Sequence, residues 1–201
     1  MDAHKLQLKL YVTPESARAV HAEAFVPVYH RFIKERVLPE LTIDVANYDH
    51  VPKGPGVVLI GHGSDYFMDE GEGRLGLLTN RKRAGVAAGE RLSDLARRTF
   101  HVASLLEKDP TLAGKLKFAT NELLFKVNDR LAAPNTDATL AAVRGELEAW
   151  GKTLFGGSVE LVREGGPKEL FSVRLKGAPT PLATLLERAG GVPGPDASLV
   201  T

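Results

Sequence analysis

The chain has 201 residues, enough for one large domain or two small ones. Its 26 basic and 25 acidic side chains nearly cancel, so charge gives no reason to expect a membrane partner and makes nucleic acid an unlikely one. There is no cysteine, which excludes disulfides, thiol chemistry and thiolate-bound metals.

The opening Met1-Asp2-Ala3-His4-Lys5 lacks the basic-then-apolar layout of a signal peptide, and a cytoplasmic location is expected. Val57 to Ile60 is the longest purely aliphatic run, far too short to span a bilayer.

Leu6, Leu8, Leu10 and Val12 alternate with Lys5, Gln7, Lys9 and Tyr11, the period-two pattern of a strand with one buried face. Thr13-Pro14-Glu15 then supplies a capping hydroxyl, a proline at the first helical position and an acid near the positive end of the helix dipole. A helix is predicted from Pro14 to about Arg36, bent or broken at Pro27. Leu41, Ile43 and Val45 alternate with polar or small residues and predict a second strand. Val57 to Met68 and Arg74 to Arg81 predict two strands of a hairpin joined through Asp69-Glu70-Gly71-Glu72-Gly73.

Ala84 to Lys108 reads as a helix with Leu92, Leu95, Thr99, Val102 and Leu106 on one side. The segment 115–131 suits either helix or strand, and a strand from Glu122 to Asp129 is preferred. A helix from Asp137 to about Leu154 ends at Gly156-Gly157 and places Trp150 in the core. Two further strands follow, near Val159 to Arg163 and Leu170 to Leu175, then a short helix from Pro181 to Ala189. Residues 190–201, rich in glycine and proline, are expected to form a flexible tail.

The elements repeat in order. Residues 5–83 and 115–177 each read strand, helix, strand, strand, with the helix 84–108 between them. The fold class expected is α+β: two β-α-β-β repeats forming a largely antiparallel sheet, with helices packed on one face of a single domain, 1–189. That architecture resembles the tandem β-α-β-β proteins of the GyrI-like and SOUL families. The resemblance implies binding of a small molecule or a haem-related group in the groove between repeats, and no site residue is carried over from it. The words Gly54-Pro55-Gly56-Val57-Val58-Leu59-Ile60-Gly61-His62 and Asn128-Asp129-Arg130-Leu131, with Ala133-Pro134-Asn135-Thr136, are similar to those of a group of bacterial proteins of unknown function.

His62, between two glycines after an aliphatic run, is the first reactive candidate, with Asp65 as a second catalytic candidate. Ser64 also lies close, but strand alternation puts Asp65 on the face opposite His62 and Ser64, so a triad within this stretch is not expected. Counting outward from Gly71 pairs residue 62 with residue 80. His62, Tyr66, Asn80, Arg81 and Arg83 therefore form the candidate ligand-binding set. The basic run Arg81-Lys82-Arg83, ahead of a helix predicted from Ala84, suits a phosphate or carboxylate. Its plainer reading is an exposed strand edge protected by charge.

A second tier comprises His50, Asn128, Asp129 and Arg130; an internal Asp129–Arg130 pair is the plainer expectation there. His50, His62, Asp65, Asp69, Glu70 and Glu72 offer oxygen and nitrogen ligands without zinc-site or EF-hand spacing, so no metal and no cofactor is expected. The acidic turn reads as a solvated hairpin tip.

The leading functional expectation is a non-enzymatic binding protein for a small molecule or protein partner, using the groove between repeats. The alternatives are an enzyme on an anionic substrate, with His62 as acid/base and Arg81 or Arg83 as clamp, and a structural homo-oligomer paired through sheet edges.

Overall fold

The computed structural model describes residues 5–52, 54–82 and 86–194. Arg83, and Ala84 where a helix was predicted to begin, lie outside the described residues, as does most of the expected tail.

The elements run β1 (Leu6–Tyr11), α1 (Pro14–Ala19), α2 (Phe25–Glu35), β2 (Thr42–Asn47), β3 (Val57–Gly61), β4 (Ser64–Asp69), β5 (Gly76–Arg81), α3 (Arg91–Lys108), β6 (Glu122–Val127), α4 (Asp137–Phe155), β7 (Glu160–Glu164), β8 (Phe171–Lys176) and α5 (Leu182–Arg188). One eight-stranded sheet has the order β2-β3-β4-β5-β1-β6-β8-β7, every neighbour antiparallel. The fold is α+β, with helices packed on the sheet. The first strands of the two halves, β1 and β6, lie side by side and form the seam.

Local chemistry sets several boundaries. The Thr13 hydroxyl accepts from the Ser16 backbone N–H at 3.3 Å and starts α1, with Pro14 just inside. Thr136 caps α4 in the same way through Thr139. The single helix predicted over 14–36 is instead two, separated at Val20, which is extended, and by a 3-10 turn at Ala22–Ala24. Pro27 does not break a helix; it sits in the first turn of α2, where a missing N–H costs nothing. Its ring would collide with the carbonyl four residues back, so α2 begins only at Phe25.

The predicted strand Val57 to Met68 is also two. β3 and β4 pair with Val57 opposite Met68 and Ile60 opposite Asp65, leaving His62 and Gly63 as the turn. The first half thus continues the strand-helix-strand-strand order with a second hairpin, and β5 returns beside β1. β5 is therefore interior, so its basic end does not guard an exposed edge. α3 begins at Arg91, after a 3-10 turn at Ala88–Glu90. Within β2 a bulge between Thr42 and Asp44 turns Ile43 outward, and Leu41 and Ile43 are exposed rather than forming an inner face.

Leu6, Leu8 and Leu10 of β1, Leu123, Phe125 and Val127 of β6, and Phe171, Val173 and Leu175 of β8 face the helices. They share one core with Phe25, Phe32, Leu95, Phe100, Leu147 and Trp150. Each fully buried leucine there contributes about 2 kcal/mol.

The opposite face carries Gln7, Lys9 and Tyr11 of β1, Glu122, Leu124 and Lys126 of β6, and Ser172 and Arg174 of β8. β1 was expected to bury one face only. It buries both: Lys9 and Tyr11 are each 0% exposed. The cover comes from the β4–β5 connection, which folds back over the sheet.

Candidate functional site

His62 sits, partly buried, in the β3–β4 turn, beyond the ladder that was expected to pair it with Asn80. Asn80 lies opposite Asp65, and Arg81 opposite Ser64. His50 is exposed in the loop after β2. The turn itself is held from a distance. The backbone N–H groups of Gly63 and Ser64 both donate to Oε2 of Glu40, at 3.0 and 2.9 Å. A Cβ on Gly61 would lie 2.5 Å from the Ser64 carbonyl oxygen and 2.9 Å from the Glu40 carboxylate, so this position has room only for glycine.

The other oxygen of Glu40 accepts from the Tyr66 hydroxyl and, at 3.0 Å, from Arg98. Arg98 also donates to Asp94 at 3.0 Å, and Arg81 lies 3.2 Å from the same carboxylate oxygen. Tyr66 and Arg81, two of the nominated residues, thus meet in a buried cluster that ties β4 and β5 to α3. Burial, and then the neighbouring Glu40 charge, push the Tyr66 hydroxyl well above its usual range. Asp65 points to the opposite face, where Lys82 bridges it to the Gly61 carbonyl at 2.6 and 2.5 Å.

A larger charged network covers the seam on the helix-free face. Lys9 donates to Asp69 at 2.6 Å, to the Gly71 carbonyl at 2.7 Å and to Glu72 at 3.1 Å. Glu72 accepts from Lys126 with its other oxygen. The acidic segment 69–73, expected as a solvated tip, is thus drawn down onto the sheet by two lysines. A Cβ on Gly76 would lie 2.7 Å from the Leu10 carbonyl and 3.0 Å from the Lys9 side chain, so glycine there opens the lysine's path.

Tyr11 lies alongside, with the Arg74 guanidinium 3.9 Å above its ring. Glu122 bridges Arg74 and Arg174, each at 2.6 Å, and Arg174 forks onto Glu164.

Four cations (Lys9, Arg74, Lys126, Arg174) and four carboxylates (Asp69, Glu72, Glu122, Glu164) balance one another across this face. Burial raises the Tyr11 hydroxyl to about 12, with Arg174 opposing and Glu72 adding to the shift. Burial alone would raise Glu72 and Glu122. The hydrogen bonds from Lys126 and Lys9 to the first, and from Arg74 and Arg174 to the second, outweigh it and hold both below the usual carboxylate value.

Two voids flank the acidic segment, and Glu72 lines both. One, of about 510 Å³, lies beside the seam over Leu124 and Ser172, walled by Lys126, Arg130, Glu164 and Glu169. The other, of about 550 Å³, lies between the acidic segment and the loop that holds Tyr48 and Pro52. Arg130 donates to the Lys168 carbonyl at 2.8 Å, while Asp129 caps its own turn through the N–H groups of Leu131 and Ala132. Arg130 therefore bonds across the void's rim, in place of the expected pair with Asp129.

The sequence pointed at the His62 hairpin and missed Lys9, Tyr11, Arg74, Glu122, Glu164 and Arg174. For Lys9, Tyr11 and Glu122 a signal was present, as polar residues at alternate positions of β1 and β6, but alternation alone reads as a solvent face.

Among the described residues no three His, Asp or Glu side chains come together as a metal ion requires, and no helix is long and apolar enough to cross a membrane. Comparison with family profiles, with curated proteins and with solved structures finds no match.

Proposed function

We propose that the protein is a non-enzymatic binder of a small charged molecule, held on the helix-free face beside the seam of its two halves. The observation that carries this is the void of about 510 Å³ beside Leu124, Leu170 and Ser172, with walls of both charges. Small-molecule sites commonly span roughly 300–1,000 Å³, with a few placed polar groups on an apolar lining. Two of the walls are fixed in advance: Glu164 by Arg174, and Arg130 by a backbone carbonyl. Side chains already held in place lose little entropy when a ligand arrives.

A ligand with an ammonium and an acid group would match the paired signs of the walls.

Native mass spectrometry of the protein, purified without denaturation from its own host, tests the proposal. The wild type should carry a non-covalent adduct of metabolite size. Ser172→Phe, which fills the floor, should lose it while keeping its circular dichroism spectrum. An adduct unchanged by Ser172→Phe, or no adduct in either protein, would contradict the proposal.

A further inference from the structure

The Glu72 carboxylate occupies a two-lysine clamp. Oε2 lies 3.1 Å from Lys9, which is fully buried, and Oε1 is bonded to Lys126, whose side chain is 14% exposed. Glu72 itself is more open, with its side chain 29% exposed, and it forms the wall shared by the two voids. Its backbone is left-handed, with φ of 59°, a conformation that a non-glycine residue adopts at a cost. Gly71 and Gly73 stand on either side.

The surrounding face is electrically balanced, so a ligand acid cannot simply be added to it. It would have to replace a carboxylate already there. Of the four, Asp69, Glu122 and Glu164 sit on strands and are held by the sheet. Glu72 alone sits on a connecting segment.

We infer that Glu72 is an internal stand-in for the ligand's anionic group: a carboxylate or phosphate entering beside Leu124 displaces it from Lys9 and Lys126, and the strap 70–73 swings away and joins the two voids. This rests on the binding role proposed above and adds to it both a ligand class and a gate. Lys9 keeps Asp69, on β4, as a partner after the strap moves, so only Lys126 is left wholly to the ligand.

An internal competitor lowers apparent affinity by the fraction of molecules in which the clamp is open. Removing it should therefore tighten binding, the opposite of what loss of an ordinary contact does. The test is calorimetric titration with inorganic phosphate and with succinate, on wild type, Glu72→Gly, and Glu72→Gly combined with Lys126→Ala. Glycine suits the left-handed backbone, so the first variant retains its fold.

Glu72→Gly should bind at least one of these anions about tenfold more tightly than wild type, and the added Lys126→Ala should abolish the gain. Equal affinity in wild type and Glu72→Gly, or a gain that survives Lys126→Ala, would overturn the inference. A retained adduct in the wild type together with an unimproved Glu72→Gly would sink the gate and leave the binding role standing. A tightened clamp with no adduct at the seam would do the reverse.

Discussion

Tyr11 shows how one strand position acquires a buried, charge-lined environment. Its ring is covered by Arg74, and its hydroxyl lies 3.4 Å from Arg174, yet burial dominates and raises its pKa from 10.0 to about 12. A group whose pKa is raised on folding binds its proton more tightly in the native state. Its stabilising contribution is complete below pH 10.0 and is lost as the pH rises toward about 12. Urea unfolding between pH 9 and pH 12 should show stability falling across that window, and Tyr11→Phe should flatten the fall. An unchanged slope in Tyr11→Phe would mean that other groups carry the alkaline loss.

At the scale of the element, the β3–β4 hairpin explains both what the sequence revealed and what it hid. The helix cap at Thr13 was legible because the capping hydroxyl and the Ser16 N–H that donates to it lie three residues apart. The β3–β4 turn was not. Neither Gly61 nor Gly63 has the positive φ that marks a tight hairpin, and the carboxylate holding the turn belongs to Glu40, 23 and 24 residues away from the groups it accepts from. The glycines beside His62 suggested ligand approach; the structure uses the first of them to admit Glu40. Arg81 misled in the same way, because its partner Asp94 lies on α3 and no local pattern announces it. Gly61→Ala should cost about 1–3 kcal/mol, since the new methyl has no space and must push the turn or Glu40 aside. Denaturant unfolding would measure it, and a change below about 0.5 kcal/mol would show that the turn yields freely.

At the scale of the molecule, the sheet decides which surface is covered and which is open. Helices cover one face and the β4–β5 strap part of the other, which leaves the ground on either side of Glu72 open. One of the two edges is guarded: β2 carries a bulge at Ile43, and the Val45 N–H is taken by the Asp44 side chain, two devices that oppose pairing with another strand. The α+β class and the order of most elements were readable from periodicity. The seam network was not, because it depends on which polar positions of β1, β6 and β8 come to lie side by side, and that is set by register.

The most direct test is an amide chemical-shift map of the labelled protein titrated with a small-molecule extract of its host. Shifts should concentrate at Leu124–Lys126, Glu164–Ser172 and Gly71–Gly73, the walls and strap of the seam void. Shifts confined to the Gly61–Tyr66 turn, or an unchanged spectrum, would contradict a binding site on the helix-free face.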